Sequence, residues 1–152
     1  MDDMREILLK QGKEAWHKAM LERKRAREEA ERTDPMREVK EALRARIAGA
    51  PQYITYAISP VPNFLQGKVP ADAMIGRVHN ALTVWESGET WVRETLQESY
   101  MQEVELLLAI RRAFQEKDAQ DEDQLATIRQ EVQAALEAYM AQPPMERKHY
   151  LL

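Results

Sequence analysis

Residues 121–142 read DEDQLATIRQEVQAALEAYMAQ, and within them Leu125, Ile128, Val132, Ala135 and Tyr139 recur at steps of 3, 4, 3 and 4. That spacing keeps one face of an α-helix apolar and is the heptad seam of helices that pack side by side. Asp121 with Gln124 three residues on resembles a capping box in which Asp replaces Ser or Thr, so a helix is expected over 121–141. Pro143-Pro144 stops it. Upstream, residues 89–116 place Val92, Leu96, Tyr100, Val104, Leu107, Leu108 and Phe114 on the buried side of a second, longer helix. Only KDAQ, 117–120, joins the two, so they are expected to lie antiparallel as a hairpin.

Further towards the N-terminus, Met74, Val78, Ala81, Leu82 and Trp85 predict a third bundle helix over 70–86, closed by Ser87-Gly88. At the other end of the chain, residues 2–32 carry a helical stripe of Met4, Ile7, Leu8, Ala15, Ala19 and Met20, flanked by Trp16 and Leu21. The stripe thins to Ala26 and Ala30 inside ERKRAREEAER, 22–32, which has high helix propensity and little to bury. Asp34 is placed to cap a next helix with Pro35 at its first position. That helix shows Met36, Val39, Leu43 and Ile47 on one side, runs to about residue 48, and ends at Gly49.

Between these halves, residues 50–70 read APQYITYAISPVPNFLQGKVP and hold Pro51, Pro60, Pro62 and Pro70. Prolines at such spacings forbid a continuous helix, and the expectation is an extended connector that packs its aromatics on the helices or adds to a partner's sheet. The organisation expected is therefore a helical arm or hairpin over 1–49, a Pro-rich connector over 50–70, a bundle over 71–142 and a tail over 143–152. The fold class is all-α.

Composition narrows the chemistry. The chain has 152 residues, 22 Lys+Arg against 26 Asp+Glu, a formal net charge of −4, and no cysteine. The missing cysteine removes disulfides, thiol nucleophiles and thiolate metal sites. No apolar run approaches the roughly 20 residues of a membrane span, and the acidic MDDMRE start lacks the basic region of a signal peptide. A cytoplasmic location without membrane contact is expected. Residues 1–49 hold 13 basic and 11 acidic residues, whereas residues 50–152 hold 9 and 15.

Two Glu-x-x-His pairs, Glu14 with His17 and Glu146 with His149, have the spacing of di-iron helix ligands. The second lies beyond Pro143-Pro144, and no inward Glu interrupts the apolar seam of the last helix. Ser59, Ser87 and Ser99 lack the strand–turn–helix setting of a nucleophile, and the glycines form no phosphate loop. No catalytic residue, metal or cofactor is assigned.

Two function classes remain. The first is a non-enzymatic protein–protein interaction module, acting as an adaptor, assembly factor or inhibitor of a larger complex. Self-association, most simply as a homodimer, is expected because the apolar seams exceed what a hairpin buries on itself. Its contact residues are expected among Trp16, Met20, Tyr53, Tyr56 and Phe64, since aromatic anchors dominate interface energetics. The second is a nucleic-acid-associated protein using the basic cluster Lys18, Arg23, Lys24, Arg25 and Arg27. Against it stand the i, i+4 pairs Lys24–Glu28, Arg25–Glu29 and Arg27–Glu31, which are expected to neutralise one another.

Overall fold

A computed structural model describes residues 2–88 and 90–145; for residue 2 and residues 90–98 the backbone alone is described. The described residues run α1 (Asp2–Thr33), α2 (Arg37–Ile47), α3 (Gln52–Ile58), α4 (Val61–Leu65), α5 (Ala71–Ser87), α6 (Thr90–Phe114) and α7 (Glu122–Ala141), with no strand among them. The all-α class stands. The chain divides into two compact units, Met1–Glu38 and Val39–Leu152.

The first unit is α1 and the turn after it. Residues 3–33 are exposed throughout. Thr33 closes the last turn by donating its hydroxyl to the Glu29 carbonyl at 2.9 Å. Asp34 then caps as expected, its Oδ1 accepting from the Met36 N–H at 2.9 Å while its carbonyl accepts from Arg37 at 3.1 Å.

The second unit holds the core. Leu43 and Ile47 of α2 are buried, so most of α2 belongs with this body rather than with the arm expected over 1–49. Gly49, at φ +83°, ends α2 in the left-handed conformation that a side chain disfavours.

Residues 50–70 depart from expectation: they are two short helices in the core, not an extended connector. Ile54, Ala57, Ile58, Val61 and Phe64 are all fully buried. The prolines start these helices instead of breaking them. A proline at a helix start lacks an N–H that no helical carbonyl would have accepted, while its own carbonyl accepts normally. Pro51 accepts from Ile54 and Thr55 at 3.0 and 3.1 Å, Pro60 from Phe64 at 2.9 Å, Pro62 from Gln66 at 3.1 Å and Pro70 from Met74 at 3.1 Å.

Helix α5 buries Met74, Val78, Ala81 and Leu82, the stripe read from its periodicity. Helix α6 is not the straight element expected. Tyr100 adopts φ −130° and ψ 22°, outside the helical region, and the helix kinks there. Arg111 lies 3.4 Å from Glu86. Along a straight helix residue 111 would stand about 30 Å beyond residue 90, so this contact requires the bend. Buried Tyr100 anchors it by donating its hydroxyl to the Gly49 carbonyl at 3.0 Å. Beyond the kink, Val104, Leu106, Leu107, Ile110 and Ala113 are buried, while Leu108 and Phe114 are half-buried. The expected burial of Val92 and Leu96 lies outside the described side chains.

Helix α7 buries Ile128, Val132, Leu136 and Tyr139. Gln102 bonds the Pro143 carbonyl at 2.8 Å and Lys117 pairs with Glu131 at 2.7 Å, so position falls on the α7 side as it rises on the α6 side. The two helices are antiparallel. Asp121 accepts from the Gln124 N–H at 3.1 Å as a cap, but the Gln124 side chain accepts from Asp118 at 2.8 Å instead of reaching back to Asp121.

Candidate interaction surface on the first helix

At 3.6 residues per turn, Met4, Leu8, Leu9, Gly12, Ala15, Trp16, Ala19 and Met20 fall within an arc of about 160° on α1. Between residues 4 and 20, Arg5 is the one charged residue inside that arc. Ile7 and Leu21 fall on the opposite, polar side with Lys10, Glu14 and Lys18, so Ile7 does not extend the stripe as its spacing suggested. The arc is large and open: Met4 is 70% exposed, Leu8 63%, Leu9 62%, Trp16 65% and Met20 46%. The first unit supplies no second layer to cover it. Beside its Trp16 edge, Lys13, Glu14, Trp16, His17, Lys18 and Leu21 line a shallow groove that runs onto the polar side of the helix. Contiguous exposed apolar surface of this kind marks contact sites, whereas scattered single residues do not.

From Met4 to Arg27 the helix carries eight basic residues and three acidic ones. Lys18, Arg23, Lys24, Arg25 and Arg27 are all exposed. The neutralising pairs expected with Glu28, Glu29 and Glu31 do not form among the described residues: Glu29 is held by Arg32 at 2.7 Å, and the other side chains reach into solvent.

The other aromatic candidates belong to the second unit and divide sharply. Phe64 is fully buried, its ring 5.7 Å from that of Phe114 and 5.8 Å below the Arg129 guanidinium. It is a core residue and not a contact residue, because α4 turns it into the body instead of displaying it on an extended strand. Tyr53 is half-buried against the core. Burial, and secondarily the charge of Tyr100, push its hydroxyl pKa above the ordinary value of 10.0. Tyr56 is exposed, with the Arg77 guanidinium 4.3 Å above its ring. Trp85 is half-buried, and the side chain of Trp91 lies outside the described residues.

A polar cluster that sequence reading missed ties α2, α6 and α7. Arg46 stacks 4.5 Å over the Tyr139 ring and donates to Gln102 at 3.0 Å, next to the buried Ser99 and Glu103 of α6. The signal was present: Ser99 and Glu103 are one helical turn apart and continue through Leu106 to Ile110. Arg46 thus joins α2 to α6 through Gln102 and to α7 through the Tyr139 ring. Among the described residues no three His, Cys, Asp or Glu are placed to hold a metal, and no helix is long and apolar enough to cross a membrane. Glu14 and His17 are exposed, and the pair Glu146 with His149 lies outside the described residues.

No family model, no curated protein and no solved structure matches the chain.

Proposed function

We propose that the chain is a non-enzymatic helical protein–protein interaction module, serving as an adaptor, assembly factor or inhibitor of a larger complex, with α1 as its contact helix. One observation carries this reading: the arc of Met4, Leu8, Leu9, Trp16 and Met20 stands exposed in a unit without an apolar layer of its own. Most helices are stable because an amphipathic face is packed. Here the face exists and the packing is left to a partner, with each large side chain contributing roughly 1.5–3 kcal/mol when fully covered. The test is affinity capture from the native host with the full chain and with a Trp16→Asp/Met20→Asp variant, bound polypeptides being identified by mass spectrometry. A partner retained by the natural chain and lost by the variant supports the reading; identical captures from both overturn it.

The unpaired cations of α1 favour a second reading, association with nucleic acid through Lys18, Arg23, Lys24, Arg25 and Arg27. Purified protein would then carry an elevated 260/280 nm absorbance ratio that falls in high salt. Charge reversal at Arg23, Lys24, Arg25 and Arg27 would abolish a salt-dependent gel shift.

A further inference from the structure

We infer that the occupant of the α1 arc is α1 of a second copy of this chain, lying antiparallel about a two-fold axis at Gly12. This rests on the reading of α1 as the contact helix and names its partner. A two-fold interface is self-complementary, so residue i meets residue j and residue j meets residue i. In an antiparallel pair centred on residue 12, position i lies level with position 24 minus i. The arc follows that rule: Met4 stands level with Met20, Leu8 with Trp16, Leu9 with Ala15 and Gly12 with itself, while Ala19 stands level with Arg5, the one charged residue of the arc.

Gly12 is the second observation. It sits near the centre of the arc, it is not in the left-handed region, and a Cβ placed there would meet nothing within 4 Å. A glycine inside a helix weakens it relative to alanine. Neither backbone conformation nor packing among the described residues requires one at this point. Two backbones crossing closely do require it, because a Cβ on each would collide at the axis. Gly76 of α5 has the same free space around it but does not sit amid an exposed apolar arc.

Charge selects the orientation. A parallel pair would set the Arg23–Arg27 cluster beside its own copy. The antiparallel pair puts the two copies of residue 25 about 39 Å apart at 1.5 Å per residue, several times the Debye length of about 8 Å at physiological salt. Burying the five large side chains removes on the order of 500 Å² per chain and twice that for the pair. That sits at the lower bound of about 1,000 Å² for a specific interface, so a reversible, concentration-dependent dimer is expected.

The experiment is sedimentation equilibrium of the full chain from about 1 to 200 μM, with helix content followed by circular dichroism. The natural chain is expected to dimerise reversibly. Gly12→Ala is expected to raise helix content yet weaken dimerisation tenfold or more, and Gly12→Leu to abolish it. Since the chain has no cysteine, a spin label at Lys24→Cys reads the orientation. A separation of about 36 Å between the two sites supports the antiparallel pair, and one below about 20 Å overturns it. Dimerisation of Gly12→Ala as strong as that of the natural chain also overturns it. A monomer at every concentration, with host capture still dependent on Trp16 and Met20, removes this inference and leaves the interaction reading intact. A dimer that survives Trp16→Asp/Met20→Asp overturns this inference, because it forms through another face.

Discussion

Phe64 and Tyr56, eight residues apart, show how differently one aromatic-rich stretch spends its rings. Phe64→Ala is expected to cost about 3–5 kcal/mol, because it removes a fully buried ring and leaves a cavity under Arg129. Tyr56→Ala is expected to cost no more than about 1 kcal/mol, the scale of an exposed cation–π contact with Arg77. Urea denaturation of the two variants checks the contrast, and equal midpoints would return Phe64 to the surface. Tyr53 makes a pH-dependent case. Its hydroxyl ionises near 10 in the unfolded chain and higher in the folded one. Between those values the unfolded chain has released a proton that the folded chain still holds. The stabilisation is therefore complete below pH 10 and is lost as pH rises through the folded pKa. Tyr53→Phe is expected to flatten the fall in urea midpoint between pH 9 and pH 11; an unchanged slope would assign that fall to other groups.

At the scale of elements, α7 tests whether its cap is set by Asp121. Asp121→Ala is expected to destabilise the second unit by about 1 kcal/mol, read as a lower urea midpoint at unchanged m-value, because the Gln124 N–H loses its acceptor. The helices that were legible in the sequence are those whose apolar residues recur every three or four positions, α5 and α7 above all. Those that were not legible share a cause. Proline is read as a breaker by its presence, yet Pro51, Pro60 and Pro62 act by position, at helix starts where the absent N–H is not needed. The bend at Tyr100 has no proline or glycine to announce it; a hydrogen bond to Gly49, fifty-one residues away, holds it, and no local pattern encodes that. Which of the large apolar residues stand exposed was half legible. Trp16 and Met20 stood out as large apolar residues on a helix with little else to bury, whereas the fate of Phe64 depended on α4, an element the sequence reading did not contain.

For the whole molecule, the division at Glu38 separates the exposed apolar arc from the buried core. The buried residues of the core begin at Leu43, and none of them comes from α1. Brief trypsin digestion is expected to cut first among Arg23, Lys24, Arg25 and Arg27 and to leave a resistant body beginning near Val39, seen by mass spectrometry. Trp16→Asp/Met20→Asp is expected to leave the urea midpoint of that body unchanged; a lowered midpoint would mean that α1 supports it. One consequence concerns how such a protein fares in a cell. A change confined to residues 3–33 removes no buried contact from the body, so it is expected to alter what the molecule associates with, and its susceptibility to proteases along α1, before it alters the folded fraction of the body.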